Sequence, residues 1–393
     1  MAVTRAEDLS VAGTDPHLLF ARLSGEAPVH QASMPDGSQA WIVTRYDDVR
    51  EGLADPRLSL DKRHAGSYRG LRLPPALDAN LLNMDPPDHT RLRRLVSGAF
   101  APRRVDQLRP RIQQITDELV DVIEADGEAD LVAMFAEPLP ITVICELFAI
   151  PVAVRADLRA WTTTLLAGGA DGRDAVHNIV RLLTGLIRAR REEPTDDLLS
   201  AMVTARDDGD RLSEDELTSL AFLVLFAGYE NTVNLLANGA LALLSRPEQL
   251  AALHADPTLV GSAVEELLRH QTPAPLAIRR FPVEDLRIGG VTIPAGETVY
   301  LAVSSANRDP ARFTDPDELR LDRAEAAHLS LGHGIHYCLG AGLARLEATI
   351  ALGTLVRRLP RLRLAVAPQE LSWLPSFRTR SLRRLPVTCR PAA

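Results

Sequence analysis

Residues His328–Glu347 read HLSLGHGIHYCLGAGLARLE, and this stretch decides the fold. A polar loop interrupted by Gly332 and Gly334 leads into Cys338, and a helical pattern of Ala, Leu, Arg and Glu begins just beyond Gly340. The pattern places one thiol at the start of a helix, where free backbone N–H groups and the positive end of the helix dipole favour the thiolate. Such a thiolate is suited to bind a metal, although most free cysteines are simply buried apolar residues.

Three kinds of site compete for this stretch. The first is a zinc site with four candidate ligands: His328, His333, His336 and Cys338. Their spacing matches no common zinc pattern, and no second cysteine is near. The second is a dinucleotide-binding loop that would begin at Gly332-x-Gly334, but Tyr337 stands where the third glycine is needed. Both fit poorly, and the third kind of site rests on a resemblance to a known family.

The pattern Gly332-x-Gly334-x-His336-x-Cys338-x-Gly340 resembles the haem-ligand loop of the cytochrome P-450 family. The resemblance implies a mainly α fold with small β-sheets, in which haem b lies between a long central helix and the cysteine loop. Cys338 is then the only protein ligand of the iron, and His336 and Gly340 contact the cofactor. A single triangular catalytic domain is expected over residues 15–393, after a disordered segment at residues 1–14.

Composition limits the partners and the compartment. The chain has 393 residues, a formal charge of −8 and a pI near 5.7, which argue against general nucleic-acid binding. Three sparse cysteines, Cys145, Cys338 and Cys389, offer no disulfide framework and suit the cytoplasm. The first 20 residues contain acids and no continuous apolar run, so neither a signal peptide nor a membrane anchor is expected. We also expect a monomer.

A long apolar helix is predicted upstream of the cysteine loop. Ser213 and Glu216 form a capping box, and the helical pattern continues to about Leu244. An acid near its middle argues for a buried core helix rather than a membrane span. A glycine inside a helix costs about 1 kcal/mol relative to alanine, so Gly228 is expected to permit a close approach to the backbone. The polar segment of this helix resembles the oxygen-binding groove of the cytochrome P-450 family, and the resemblance assigns catalysis to Ala227, Gly228, Glu230 and Asn231.

Asn231 departs from the family, whose members usually have threonine directly after the acid. Thr232 is about 100° further round the helix, so it should not substitute for the missing hydroxyl. Asn231 can donate and accept hydrogen bonds, so it can order a water chain, or the substrate's own hydroxyl can complete the relay. The sequence leaves these alternatives open, together with oxidative coupling that inserts no oxygen.

Basic residues elsewhere are candidates for holding the two haem carboxylates. His89 and Arg93 are four residues apart and share a helical face, although such a pair is as often simply solvated. Resemblance to the family assigns them, with Arg280, to the carboxylates; Arg279 is the adjacent rival of Arg280. Further arginines are expected to form a basic patch that docks an acidic ferredoxin: Arg91, Arg94, Arg103 and Arg104.

The remaining assignments concern the substrate and the core. Leu223 and Phe226 precede the polar segment by one helical turn and are expected to line the substrate pocket, with Phe377 from the C-terminal region. The Glu266-x-x-Arg269 pair matches the family's buried core pair, which a third basic residue joins; Arg323 is the candidate. These three residues are assigned to structure.

The resemblance therefore predicts a haem-thiolate monooxygenase. It would hydroxylate or epoxidise a hydrophobic small molecule, for example a polyketide macrolide, using O2 and two electrons from a ferredoxin and its reductase. Two alternatives remain open. One is a cytochrome P-450 that couples its substrate oxidatively without inserting oxygen, and the other is a haem-binding protein without catalytic activity.

Overall fold

The computed structural model describes residues 7–8, 16–66, 75–167, 172–207, 210–324 and 327–390. Within the segment expected to be disordered, Glu7–Asp8 form a short strand beside Ala32–Ser33. The rest of that segment lies outside the described residues, so the disorder expected there remains a prediction.

Helices make up most of the described chain, as the sequence predicts. They are α1 (Pro16–Glu26), α2 (Tyr46–Ala54), α3 (Pro75–Asp78), α4 (Asp88–Ser97), α5 (Pro102–Gln107), α6 (Arg109–Asp126), α7 (Pro138–Leu147), α8 (Val152–Ala167), α9 (Gly172–Glu192), α10 (Leu198–Thr204), α11 (Glu214–Leu244), α12 (Pro247–Ala255), α13 (Val260–His270), α14 (Val303–Ala306) and α15 (Ala341–Arg358). Short 3-10 turns lie at Lys62–His64, Gly98–Phe100, Pro257–Leu259, Gly334–His336 and Pro368–Glu370, and one π-helical turn lies at Val132–Ala136.

The strands are short and form small sheets. They are β1 (Glu7–Asp8), β2 (Val29–Ser33), β3 (Gln39–Val43), β4 (Leu58–Ser59), β5 (Glu128–Asp130), β6 (Arg206–Asp207), β7 (Asp210–Arg211), β8 (Phe281–Pro282), β9 (Leu286–Ile288), β10 (Val291–Ile293), β11 (Val299–Leu301), β12 (Arg363–Leu364) and β13 (Pro386–Thr388). The largest sheet has the order β1-β2-β3-β11, with β2 and β3 antiparallel and β11 parallel to β3. A three-stranded sheet has the order β12-β13-β5. The pairs β4/β8, β6/β7 and β9/β10 complete the described sheets.

Helix α11 runs through the interior and confirms the predicted central helix. Ser213 and Glu216 form the capping box, and the helix continues without interruption for 31 residues. Its N-terminal half packs into one apolar cluster with α4, α7 and α9, and its C-terminal half packs into another with α6, α13 and α15. Within the described residues it is the one helix long and apolar enough to cross a membrane, and more than half of its most apolar window is buried inside the protein.

The cysteine loop is placed between this helical core and the sheet. Helix α15, which follows the loop, packs on α6, α11 and α13. The 3-10 turn that precedes Cys338 contacts α2, whose apolar face is buried against the β-sheet side of the protein. Three free cysteines are present, at positions 145, 338 and 389.

Candidate active site

The loop before Cys338 has a backbone that only glycine accommodates easily. Gly332 and Gly334 have φ angles of +79° and +72°, in the left-handed region. A Cβ atom on Gly334 would lie 3.0 Å from the Cα of Ala54 in α2. The turn closes through hydrogen bonds from the Cys338 N–H to the Leu331 carbonyl (2.8 Å) and from the Tyr337 N–H to the Gly334 carbonyl (3.1 Å). These contacts fix the loop against α2.

Cys338 lies in a concave part of the protein. Its side chain is exposed, yet burial among protein atoms raises the pKa of the thiol. A hydrogen bond from the Gly340 N–H and the charges of Arg93 and Arg345 act in the opposite direction. The N–H at the helix start favours the thiolate in the expected direction, but desolvation outweighs it and the net pKa of the thiol is raised. A Cβ on Gly340 would meet no protein atom within 4 Å, so protein packing alone does not require glycine there.

Two histidines pack together beside the loop. The ring centroids of His89, in α4, and His336 are 4.2 Å apart. Burial lowers the pKa of His89 to about 4. Burial, together with the charges of Arg280 and Arg93, lowers the pKa of His336 to about 3. Both ring nitrogens of His89 are buried, and no described residue forms a hydrogen bond with either of them. An interior imidazole of this kind requires a polar or charged partner.

Arg280 and Arg93 complete a basic cluster with these histidines. Arg280 is 4% exposed, and burial lowers the pKa of its guanidinium to about 10. Its terminal nitrogens donate to the carbonyls of Leu58 and Leu53 at 3.2 and 3.1 Å. Arg93 donates to the Tyr337 carbonyl at 2.6 Å. Within the described residues, none of the four bases has a carboxylate at ion-pair distance, and we call them the basic cluster: His89, Arg93, Arg280 and His336.

The side chains of Arg280 and its neighbour Arg279 have different contacts. The Arg279 side chain donates instead to the Leu82 carbonyl and to Oδ1 of Asn83, at 3.3 and 2.5 Å. Successive side chains of an extended segment point in opposite directions, so only one of two adjacent arginines can enter the basic cluster. That residue is Arg280, whose charge acts on His336.

One face of α11 is accessible although the helix is mostly buried. Ala227 and Asn231, one turn apart, are exposed, and Leu223, Phe226 and Glu230 on the same side are half-buried. The stripe lies where α11 passes from one apolar cluster to the other. The accessible stripe is therefore flanked on both sides by buried parts of the same helix.

Gly228 and Thr232 point elsewhere. A Cβ on Gly228 would meet Ile144 of α7 at 3.5 Å, an ordinary contact distance, so no described part of the protein makes the close approach expected at this glycine. Thr232 is buried and donates to the Gly228 carbonyl at 2.8 Å. The Asn231 amide donates to the Ala227 carbonyl at 3.3 Å.

Glu230 has partners that the sequence did not reveal. Burial raises the pKa of its carboxyl group, and the Arg378 charge and the Thr379 hydroxyl, both from the C-terminal region, oppose that shift. The one feature of the sequence that could have indicated these partners is the polar pair Arg378-Thr379 directly after Phe377. Phe377 itself packs edge-on against Tyr300, with ring centroids 6.1 Å apart.

The assigned core triad forms a buried ion-pair network. Glu266 accepts bonds from Arg269 at 2.7 and 2.8 Å and from Nε of Arg323 at 3.1 Å. Arg269 also donates to the Asn307 carbonyl at 2.8 Å, and Asn307 in turn accepts from the Leu329 N–H at the start of the cysteine loop. The buried ion-pair network is therefore connected, through Asn307, to the start of the cysteine loop.

The structure contradicts two possibilities raised by the sequence: Arg91 in the basic patch and a zinc site at the cysteine loop. Arg91 is not part of a free basic patch, because it pairs with Asp210 and Glu216 beside the start of α11. The zinc alternative also fails on geometry, since His328 pairs with Glu265. Among the residues that the structure describes, no group of three or more His, Cys, Asp or Glu side chains is placed to hold a metal ion.

The arrangement fits haem. A haem with a thiolate ligand needs a cysteine at its iron and cations or N–H donors for its two carboxylates. The basic cluster supplies two guanidinium groups and two imidazoles beside an accessible cysteine, and in the described part of the chain no carboxylate pairs with them. The open space at Gly340 is where a flat cofactor can approach the backbone.

Comparison with known proteins agrees with this geometry. The family model described as Cytochrome P-450 matches residues 172–370. The chain is 48% identical to cytochrome P-450 107B1 of Saccharopolyspora erythraea over 96% of each chain. It is 43% identical to mycinamicin IV hydroxylase/epoxidase of Micromonospora griseorubida, over 98% of this chain and all of that protein. The solved structure of the ligand-free P-450 monooxygenase TamI superposes with a TM-score of 0.91 at 44% identity, covering 98% of this chain and 95% of that one. The protein belongs to the cytochrome P-450 family.

Proposed function

We propose that the protein is a haem-thiolate monooxygenase that hydroxylates or epoxidises a hydrophobic small molecule, using O2 and two electrons from a ferredoxin. The observation that carries this proposal is the basic cluster of His89, Arg93, Arg280 and His336 beside the accessible Cys338. His89 and Arg280 are buried, Arg93 and His336 are half-buried, and within the described residues none of them has a carboxylate at ion-pair distance, which supports an anionic ligand at this place.

Each residue near the loop has a defined task in this proposal. Cys338 Sγ is the single protein ligand of the iron, and metal binding removes its proton despite the raised pKa of the free thiol. The basic cluster binds the two haem carboxylates through its guanidinium and imidazole N–H groups. When bound, the haem supplies the one-electron chemistry that activates O2, and the thiolate donates electron density to it.

Glu230 is proposed to deliver protons. Burial raises the pKa of its carboxyl group, so the group holds a proton to a higher pH than an exposed glutamate. Arg378 and Thr379 connect it with the C-terminal region, while Asn231 lies one residue further along the accessible face. One N–H of Asn231 is already committed to the Ala227 carbonyl, which leaves the other N–H and Oδ1 for ordered water.

The substrate is proposed to be a hydrophobic secondary metabolite such as a polyketide macrolide. The accessible face of α11 carries apolar side chains at Leu223 and Phe226, and the Phe226 ring stacks on Phe222 with centroids 5.7 Å apart. Phe377 lies beside the Glu230 partners in sequence and completes the apolar lining. The named activity of the mycinamicin hydroxylase/epoxidase supports a macrolide, since the two chains align over nearly their full lengths.

Electron delivery is proposed to come from a ferredoxin and its reductase in the cytoplasm. Arg103 and Arg104 are exposed at the start of α5, and Arg104 lies 3.9 Å from Asp196, a long distance for an ion pair. Exposed arginines attract an acidic partner mainly by raising the rate of encounter. The three free cysteines suit a reducing compartment, and we propose that the protein acts there as a monomer.

Oxidative coupling is the second candidate, and the observation that favours it is Asn231 in place of a threonine hydroxyl. One experiment tests both reactions. The purified protein is supplied with ferredoxin, reductase, macrolactone substrates and heavy-oxygen O2. We expect products that carry one labelled oxygen atom. Products that lack the label and two hydrogens would support coupling instead, and the absence of any product would favour a haem-binding protein without activity.

A further inference from the structure

Tyr337, the residue directly before Cys338, is held at both ends by arginines from different helices. Arg93 of α4 donates to its backbone carbonyl at 2.6 Å, and Arg345 of α15 donates to its hydroxyl at 3.0 Å. Tyr337 is 38% exposed, so protein packing covers it only in part. The two arginines hold its backbone carbonyl and its hydroxyl.

Arg345 is in turn fixed by Glu265 of α13. Nε and Nη2 of Arg345 donate to the two carboxylate oxygens at 2.6 and 2.9 Å, a bidentate pairing with little freedom. Nε2 of His328, at the start of the loop, lies 3.1 Å from the same carboxylate. Burial alone would raise the pKa of Glu265, but the hydrogen bonds from Arg345 and His328 lower it to about 2.

The loop packs closely on α2 at Gly334, but other residues of the loop are less covered by protein. Gly332 and Gly334 add backbone freedom, and Ile335 is 47% exposed. Leu331, where the family usually has phenylalanine, is only partly buried against the main core. A side-chain network that joins α13, α15 and both ends of the loop adds a constraint to this packing.

We propose that Glu265, Arg345 and Tyr337 form a positioning clamp that keeps the Cys338 thiolate on the haem iron and adjusts the charge around it. This inference rests on the proposed ligation by Cys338. The three residues are positioning residues, since they act on the sulfur through the loop backbone and through their charges. The clamp is distinct from the buried Glu266–Arg269 pair, which supports the fold through a different set of contacts.

The test uses haem-loaded protein and two readouts other than turnover. The first is the rate at which the reduced, carbon monoxide-bound protein loses the strongly red-shifted band of a thiolate ligand. The second is the reduction potential of the haem. We expect Arg345→Gln and Glu265→Gln each to lose the band about tenfold faster, the effect of one charge-assisted hydrogen bond. Tyr337→Phe, which removes only the hydroxyl, should have a smaller effect of the same sign.

The reduction potential distinguishes the effect of the clamp's charges on the haem from its effect on the position of the loop. Arg345→Gln leaves the Glu265 carboxylate without its guanidinium partner, so added negative charge should lower the potential. Glu265→Gln leaves the guanidinium unpaired, so the potential should rise. In the double variant Glu265→Gln/Arg345→Gln the potential should return close to the wild-type value while the faster loss of the band remains. Tyr337→Phe should have no added effect in an Arg345→Gln background.

Arg358→Gln is the matched control. Arg358 lies on the same helix and also pairs with several acids, Asp121 and Glu124 at 2.6 Å and Asp117 at 3.4 Å. These partners belong to α6 rather than to the cysteine loop, so the variant should keep both readouts. If the wild-type protein shows the band but the clamp variants behave like Arg358→Gln, the clamp is wrong and the Cys338 ligation stands. If the wild-type protein lacks the band, both proposals fall.

Discussion

The imidazole rings of His89 and His336 lie 4.2 Å apart at a tilt of 58°, in the interior beside the loop that carries Cys338. Among the residues that the structure describes, none forms a hydrogen bond with either nitrogen of His89, and burial depresses the pKa of both histidines. A folded protein normally satisfies such groups. This pair and Arg280 therefore identify the place where the haem carboxylates are proposed to bind.

Arg280 and Arg279 provide a direct comparison of two adjacent arginines. We expect Arg280→Met to accelerate haem dissociation by about 10- to 100-fold, since a hydrogen bond to a charged group contributes about 1.5–3 kcal/mol. Arg279→Met, which affects contacts to Leu82 and Asn83, should leave the rate near that of the wild type. Haem transfer to an excess of a haem-free acceptor protein measures both rates. Equal rates for the two variants would remove Arg280 from the site.

The low pKa of His89 predicts how stability depends on pH. In the unfolded chain this histidine takes up a proton near pH 6.5, whereas in the fold it resists protonation until about pH 4. The unfolded state therefore binds more protons between these values, and the haem-free protein should lose stability as the pH falls from about 6.5 to 4. Over this pH range, the protonation of His89 should lower the free energy of unfolding by about 3 kcal/mol in total.

His89→Gln removes this titration and should flatten that part of the profile, which urea unfolding at a series of pH values measures. His336 titrates over the same range and should leave part of the slope. His177→Gln, at an exposed position of α9, is the matched control and should follow the wild-type profile. An unchanged slope in His89→Gln would show that its imidazole is not desolvated in the fold.

Substitution by alanine should have different effects at Gly334 and at Gly340. Gly334→Ala places a Cβ 3.0 Å from Ala54 in a left-handed backbone, so we expect a loss of about 2 kcal/mol in the free energy of unfolding. Gly340→Ala meets no protein atom, so the haem-free protein should keep its stability while its haem affinity falls. Denaturant unfolding and haem titration measure the two effects. A stable Gly334→Ala variant would contradict the close packing of the loop on α2.

Glu230 and Thr379 should act together in proton delivery. We expect Glu230→Gln to lower the turnover number by about 100-fold, within the range for general acid catalysis, without changing the haem spectrum. Thr379→Val should lower it less, because it removes only the hydroxyl beside the carboxyl group. The turnover number and the peroxide released per electron are the measurements.

Thr388→Val in β13 is the matched threonine control for this pair. The Thr388 hydroxyl donates to the Gly127 carbonyl at 3.1 Å, in the small sheet that β13 shares with β5. Its removal should leave both the turnover number and the peroxide yield at wild-type values. Wild-type turnover in Glu230→Gln would take this carboxyl group out of the proton path.

The sequence predicted the features that depend on local pattern. The capping box at Ser213 located the start of α11, and Gly332 and Gly334 marked a loop whose backbone has positive φ angles at both positions. Both work because neighbouring residues determine helix starts and tight turns.

Features that depend on contacts between residues far apart in the chain could not be predicted from the sequence. Arg91 was expected on a free patch because nothing nearby in the sequence shows that Asp210 and Glu216 pair with it. The partners of Glu230 in the C-terminal region were missed for the same reason. The raised pKa of Cys338 also depends on tertiary burial, which outweighs the local effect of the helix start.

The spectrum of the reduced, carbon monoxide-bound protein tests the central claim most directly. A thiolate ligand from Cys338 predicts the strongly red-shifted band in the wild-type protein and its absence in Cys338→Ser. Cys145→Ser, at a buried position remote from the loop in sequence, should keep the band. A wild-type spectrum without the band, or a Cys338→Ser variant that retains it, would contradict the assignment.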